Sequence, residues 1–346
     1  IELPEIWYLQ EGAPAQSASI SEIILDDREM LGRIKNISKI CGNVFLVPYA
    51  VTPTEYKIAS LTGWEIVGAS PEITEWVNSK VNARRMAMEA GLPATDGFIC
   101  SGAEEGLSGI NLLREKGADK IIIKDAYGAS GKGLYIIDPQ ESMIFLNQLL
   151  RRKKDGKKHA GVIVEKWYET RADINYQIFV RDDGTLTFMP PKRQILSGVI
   201  YRGSEFPADS VLNAEQTNFY EESANLLGRK LFEKGYRGIA SIDSIITKDN
   251  FIFPVIEING RFSPSTYITF IPELLNGTRF FLSKYYDVYS DIVILKIAGW
   301  LSENGYTPEN GEGLIVYSYT EKTDIANGRI FILYAYNDLN KMRKIE

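Results

Sequence analysis

Glu257-Ile258-Asn259-Gly260-Arg261-Phe262-Ser263 ends a strand-like run that begins at Phe251. A second run, Ile239 to Ile246, precedes it and is joined to it by Thr247-Lys248-Asp249-Asn250, which predicts a hairpin. Side chains alternate along a strand, so Glu257 and Asn259 share one face. Ile256 and Ile258 are expected on the other face, towards the core. The turn near Asp249 sets Asp243 across from Glu257. Carboxylates placed opposite each other repel, which a solvated strand face rarely tolerates. A divalent cation removes that cost, and Asp243, Glu257 and Asn259 form the hard-oxygen set that suits Mg²⁺ (or Mn²⁺) beside nucleotide phosphates. Arg261 projects next to them and can hold a phosphate or carboxylate through paired N–H bonds. Pro254 inside the second strand predicts an edge or a bulge.

Upstream, Gly128-Ala-Ser-Gly-Lys-Gly133 follows the apolar strand Ile121 to Lys124. A Walker A loop needs Gly, four residues, Gly-Lys and then Ser or Thr, and it opens a helix. Here Gly133 follows Lys132, and the next residues, Leu134 to Ile137, read as a strand. The stretch is therefore a hairpin tip, whose backbone N–H groups, Ser130 hydroxyl and Lys132 ammonium can close over phosphates. An ordinary glycine-rich hairpin reads the same way when taken alone.

The rest of the chain narrows the chemistry. With 346 residues, 45% hydrophobic and 24% charged, it has the composition of a globular protein of two or three domains. A net charge of −6 argues against general nucleic-acid binding. Its single histidine, His159, lies in the basic run Arg151 to Lys158, which reads as a solvated loop, so His-rich zinc sites and His-based nucleophilic catalysis are disfavoured. Cys41 and Cys100 have no metal-ligand spacing and are expected as buried apolar filler. No apolar run reaches membrane-spanning length, and no secretory signal is visible, so a cytoplasmic location is expected. Carboxylates, Lys, Arg and a cofactor must carry the chemistry.

Along the chain, Glu5 to Leu9, Asn43 to Pro48 and Glu65 to Val67 read as short strands. Ser70-Pro71-Glu72 starts a helix expected to run, through Ile73, Trp76, Val77 and Val81, to a stop at Gly91 and Pro93. A helix from about Pro139 to Arg152 and a strand Gly161 to Glu165 complete a β-loop-β-α-β unit. Ile174 to Val180 and Thr185 to Phe188 form a hairpin about Asp182-Asp183-Gly184. A helix follows from about Asn213 to Lys234, with Phe219, Leu226, Leu227 and Leu231 on its inner stripe. A helix near Arg279 to Glu303 and strands Gly313 to Thr320 and Arg329 to Tyr336 end the chain. The Tyr- and Phe-rich stretch Thr266 to Tyr289 fits a pocket lining or a packed core equally well.

Taken in order, Lys80, Lys124, the Gly128 to Gly133 loop, Glu165-Lys166-Trp167, Asp243, Glu257 and Asn259 resemble the ATP-grasp superfamily of carboxylate–amine ligases over residues 78 to 270. The resemblance implies an α/β (α+β) ATP-grasp fold. Residues 1–78 would form the N-terminal pre-ATP-grasp α/β domain. Residues 79–165 would form a linker helix and lid subdomain, and residues 166–346 a central antiparallel-sheet domain with the metal site. It also implies roles. Lys80 and Lys124 would touch ATP phosphates, and Gly128, Ser130, Gly131, Lys132 and Gly133 would form the phosphate loop. Glu165, Lys166, Trp167 and Tyr168 would meet the adenine edge, and Asp173 the ribose. Asp243, Glu257 and Asn259 would hold Mg²⁺, while Arg261 and Lys124 would act on the reacting phosphate. Lys192 and Arg193 fall where many members present a basic group. The tyrosine-rich ending after about residue 280 departs from that of D-alanine–D-alanine ligases, and the overall arrangement resembles natural-product peptide ligases of the pheganomycin type, or butirosin-type ligases that act on a carrier protein.

The activity so implied joins a small-molecule or peptide carboxylate to an amine, using ATP and Mg²⁺ through an acyl-phosphate. Neither a nucleic acid nor a membrane is an expected partner; a carrier protein is a candidate one. Two other readings stay open: an ATP-grasp enzyme with a different acceptor, carboxylase-like or acylating a carrier protein, and a non-catalytic ATP-binding scaffold.

Overall fold

The computed structural model describes residues 19–128, 133–137, 161–275, 277–289, 291–321 and 328–345. The expected strand at Glu5 to Leu9, the helix at Pro139 to Arg152, the basic run with His159, and Ser130, Gly131 and Lys132 lie outside the described residues.

The chain begins with helices α1 (Ile20–Asp26) and α2 (Arg28–Cys41) and strand β1 (Phe45–Leu46). Helix α3 (Pro53–Thr62) then leads to β2 (Glu65–Ile66), which pairs parallel with β1. Thr52 and Glu55 form a capping box at the start of α3, and Pro53 sits at its first position, so local sequence alone fixes that start. Cys41 ends α2 on the surface, contrary to its expected burial, while Cys100 is buried. Cys41 is the last residue of α2, two turns beyond Ile34 on the helix face that buries Met30 and Ile34, at the end of the helix where that face is no longer covered.

The helix expected from Ser70 to Gly91 is two helices, α4 (Pro71–Val77) and α5 (Lys80–Glu89). Asn78 interrupts it. Its side-chain amide donates to Thr74 O at 2.8 Å, and its Oδ1 accepts from Gly260 N at 2.9 Å. Ser79 then takes extended backbone, and Lys80 N donates to Ala126 O at 2.8 Å. The break turns Lys80 towards the cleft described below.

Strand β3 (Gly97–Cys100) and helix α6 (Ala103–Glu115) had no counterpart in the sequence reading. They join β4 (Ile121–Asp125), β5 (Leu134–Ile137) and β6 (Val162–Lys166) in an antiparallel sheet of order β3-β6-β4-β5. Ile121, Ile123, Val162 and Val164 bury their side chains against Ile110 and Leu113 of α6. At roughly 1.5–3 kcal/mol for each large apolar side chain removed from water, this small sheet has a core of its own.

The remaining strands are β7 (Thr170–Val180), β8 (Leu186–Ser197), β9 (Ile200–Phe206), β10 (Gly238–Thr247), β11 (Ile252–Asn259), β12 (Phe280–Val288), β13 (Gly313–Glu321) and β14 (Gly328–Tyr336). They form one eight-stranded antiparallel sheet of order β11-β10-β7-β8-β9-β12-β14-β13. Helix α7 (Ala214–Glu233) packs on it through Tyr220, Ala224, Leu227 and Leu231. Leu227 and Leu231 are buried as expected, whereas Leu226 is 42% exposed and Phe219 only half-buried, Tyr220 and Ala224 completing the stripe, since neighbours on a helix sit about 100° apart. Pro254 falls on β11, an edge strand with a register shift opposite it between Asp243 and Ile245. Ile258 enters the core as expected, whereas Ile256 lines the cleft.

The expected helix from Arg279 is a strand for its first ten residues. Phe280, Phe281, Tyr285, Tyr286 and Val288 belong to β12, which pairs with β9 and β14, and the helix proper, α9, is Asp291–Asn304. Helix α8 (Pro264–Leu274) crosses the open face of the sheet, and α10 (Leu339–Ile345) closes the chain. Among the described residues no helix is long and apolar enough to cross a membrane.

Candidate active site

A cleft of about 400 Å³ lies between the four-stranded and eight-stranded sheets, within the size range of small-molecule sites. Its lining includes Lys80, Lys124, Glu165 to Tyr168, Asp173, Asp243, Glu257, Asn259 and Arg261. Lys192 and Arg193 are not part of it. Lys192 is fully buried beside Phe206, and burial pushes its ammonium down to about 7. Arg193 sits 3.7 Å from Glu205.

The floor is the β10–β11 hairpin. Asp243 and Glu257 are register partners, so both carboxylates project from one face. Asp243 is pushed up to about 6, first by burial and then by the charge of Glu257; hydrogen bonds from Asn175 and Gln194 oppose the rise. Asn175 Nδ2 and Gln194 Nε2 both donate to Asp243 Oδ1, at 2.8 and 2.7 Å, and Asn259 Nδ2 donates to Oδ2 at 3.3 Å. Lys80 Nζ reaches Glu257 Oε1 at 2.9 Å and the Gly128 carbonyl at 2.8 Å. One ammonium thus ties the metal-ligand candidate to the start of the glycine hairpin. Gly133, at its other end, has φ +77°, and a Cβ there would meet Asp125 Cβ at 2.9 Å, so the turn requires glycine.

Opposite, Lys124 is held by Glu165. Lys124 Nζ lies 2.5 Å from Glu165 Oε2, and Arg84 Nη1 lies 2.6 Å from Oε1. Burial works to raise the Glu165 carboxyl, but Lys124 and Arg84 outweigh it and hold it below its ordinary value. Arg84 also donates to the Thr95 hydroxyl and to the Thr95 and Gly97 carbonyls. The following residues cross between the sheets: Lys166 N donates to Asp96 O and Trp167 N to Lys120 O, both at 2.9 Å. Tyr168 gives its hydroxyl proton to Asp96 Oδ2 at 2.7 Å and packs on Phe253. Asp173 lies on β7 within the cleft, its carboxyl raised by burial.

Arg261 holds the far end. Its Nη2 donates to Asn259 Oδ1 at 2.9 Å, and its Nη1 donates to Phe262 O and Tyr49 Oη, each at 3.1 Å. Beyond it the lining continues through Leu196, Val199 and Tyr201 to Ser263 and Ser265.

The donor set fits a hard divalent cation: two carboxylates and an amide oxygen on one face, with a proton affinity at Asp243 that a cation would relieve. Among the described residues no group of three His, Cys, Asp or Glu side chains is placed to bind metal, so a cation here would need the Asn259 oxygen and non-protein ligands such as phosphate.

Tyr49, Arg84, Asn175, Gln194 and Tyr201 escaped the sequence reading. Only the β7 pair left a trace, since Asn175 and Gln177 continue the alternation begun by Asp173, a polar face on a strand otherwise filled by Ile174, Tyr176 and Ile178.

A small antiparallel sheet over a large one, gripping a cleft that presents two lysines to two acids, defines the ATP-grasp class of nucleotide-dependent ligases. The chain belongs to the family of the carbamoyl-phosphate synthase L chain, ATP-binding domain, which matches residues 79–271. It is 29% identical over 205 residues to a [butirosin acyl-carrier protein]–L-glutamate ligase of Niallia circulans, a match covering 59% of this chain and 48% of that protein. It therefore spans about half the length of that relative. The fold is shared with the ADP complex of N5-carboxyaminoimidazole ribonucleotide synthetase (TM-score 0.66, 15% identity, 91% of this chain and 81% of that one). It is also shared with the biotin carboxylase domain of Hydrogenobacter thermophilus 2-oxoglutarate carboxylase, solved with MgADP and bicarbonate (TM-score 0.60, 15% identity, 88% and 73%). Both of these structures hold a bound adenine nucleotide, the second with magnesium.

Proposed function

We propose that the protein joins a carboxylate to an amine at the expense of ATP, through an acyl-phosphate. The observation that carries this reading is the in-register Asp243–Glu257 pair on the floor of a cleft whose walls carry Lys80 and Lys124. Asp243, Glu257 and Asn259 would hold Mg²⁺, which when bound offsets phosphate charge. Lys80 and Lys124 would neutralise the phosphate chain, the Glu165 to Tyr168 crossing would meet the adenine, and Asp173 the ribose. Arg261 would hold the γ-phosphoryl and the incoming carboxylate. The carboxylate oxygen attacks the γ-phosphorus, and the bond to the bridging oxygen of ADP breaks. The amine lone pair then attacks the acyl carbon, the bond between that carbon and the phosphate oxygen breaks, and the amine loses a proton as phosphate leaves. Such chemistry needs positioning and charge more than a side-chain nucleophile. Three parts, 1–78, 79–165 and 166–346, would supply the entry domain, the lid and the metal-bearing sheet.

The likeness to the Niallia carrier-protein ligase supports a carrier protein as bearer of one substrate, and with it a place in natural-product biosynthesis. The test is ADP release from Mg·ATP with panels of amino acids, peptides and a carrier protein, with products followed by mass. The wild-type protein should release ADP in an acid-dependent way and Glu257→Gln should not. ADP release at the wild-type rate by Glu257→Gln would refute the metal assignment. A nucleotide-binding protein that releases no ADP with any acid would favour the scaffold reading.

A further inference from the structure

Resting on the reading of Arg261 as the γ-phosphate ligand, we infer that Tyr49, from the β1–β2 unit, is the positioning residue for that arginine. Arg261 stands on a turn beyond the end of β11. Two of its contacts are local: Asn259 Oδ1 and the Phe262 carbonyl. The third comes from across the molecule. Tyr49 Oη accepts from Nη1 at 3.1 Å, and the guanidinium carbon lies 5.5 Å from the tyrosine ring centroid. The Tyr49 carbonyl also accepts from Phe262 N at 3.0 Å, so backbone and side chain of one residue brace both ends of the Arg261 peptide unit. Asn78 fixes the preceding residue through Gly260 N.

Tyr49 is about half exposed and lines the cleft, so its side chain is not there to fill a core. Without it, the guanidinium keeps only two acceptors, Asn259 Oδ1 and the Phe262 carbonyl, both from its own chain segment, and loses the one that comes from across the molecule. A hydroxyl on a charged donor, plus a ring beside the guanidinium plane, holds the fork facing inward. Tyr49 touches Arg261 rather than the reacting atoms, so its removal should affect only ligands that reach Arg261.

The test is a double-mutant cycle on nucleotide affinity, measured by calorimetry with Mg·AMP-PNP and Mg·ADP on the whole chain. Tyr49→Phe keeps the ring and the backbone carbonyl and removes only the hydroxyl; Tyr49→Leu removes the ring as well. Tyr49→Phe should weaken Mg·AMP-PNP about three- to tenfold, Tyr49→Leu more, and both should leave Mg·ADP within about twofold, with an unchanged melting temperature. In an Arg261→Ala background neither substitution should have a further effect, because coupled residues are non-additive. Additive losses, equal losses for ADP and AMP-PNP, or no loss at all would overturn the role of Tyr49. Wild-type affinity for Mg·AMP-PNP in Arg261→Ala would instead overturn the γ-phosphate reading of Arg261 and take this inference with it.

Discussion

Two buried charge clusters face each other across the cleft, and they are built on opposite terms. In the four-stranded sheet one acid, Glu165, answers two cations, Lys124 and Arg84, and Arg84 spends its other donors on the hydroxyl and carbonyls of Thr95 and on Gly97. The single carboxylate is outnumbered by its cations and is held below its ordinary value. In the β10–β11 hairpin two acids face one ammonium in contact, Lys80, which reaches Glu257 and the Gly128 carbonyl, and Asp243 is left at about 6 although Arg261 works against the rise. The first cluster is a fastening. The second leaves a carboxyl raised by burial and by its acidic neighbour, which a further cation would relieve. The contrast lies in the opposite directions in which the two buried carboxyls are pushed, Glu165 down by its partners and Asp243 up, and not in their burial.

The comparison breaks most sharply at Asp243. Asp243→Asn should abolish Mg-dependent nucleotide turnover, by about 10²-fold or more, and should leave the metal-free melting temperature equal or raised, because it removes the repulsion with Glu257. A fall in melting temperature would show that the pair is structural after all. Glu165→Gln should do the reverse and destabilise the protein: removing one partner of a buried ion cluster costs roughly 3–5 kcal/mol, readable by urea denaturation. Activity surviving at full stability would mean that Glu165 is not the fastening.

The pH dependence of that fastening has a definite sign. Since folding lowers the Glu165 value below the ordinary 4.5, its stabilisation is complete above 4.5 and is lost as pH falls through the folded value. Acid unfolding of the wild type should therefore be steeper in this range than that of Glu165→Gln. The smallest effect is expected at the edge of the fastening, where Tyr168→Phe removes one bond to Asp96. A loss of about 0.5–1.5 kcal/mol, with unchanged melting of the eight-stranded sheet followed by hydrogen exchange, would confine that contact to the crossing between sheets.

How much of this could be read from residues alone depended on whether contacts were local. The β10–β11 hairpin was legible from its four-residue turn, but setting Asp243 opposite Glu257 also takes the register shift between Asp243 and Ile245, without which Asp243 would meet Val255. The start of α4 was legible from Ser70-Pro71, and α7 to within one residue of its ends. The break at Asn78 was not, since it depends on a bond to Gly260, 182 positions away in the chain. Nor was the capture of Lys124 by Glu165, since strands β4 and β6 are adjacent only through the sheet. Arg279 to Val288 misled for a related reason: its apolar run carries no period that distinguishes a buried strand from a helix, and β9 and β14 on either side decide it. Tyr49 and Arg84 gave no signal at all, because each acts on a residue remote in sequence.

Strand β12 has a consequence for how the protein can be re-engineered. Its Phe281 to Lys284 segment hydrogen-bonds to β9, and its other side carries β14 and then β13, so about the last fifth of the chain is woven into the same sheet that holds Asp243. Cutting the gene before Phe280 would bare the whole flank of β9 as a sticky ribbon. The tyrosine-rich ending is therefore no detachable cassette: swapping it between relatives would mean matching a strand register, and not merely joining two globules by a tether.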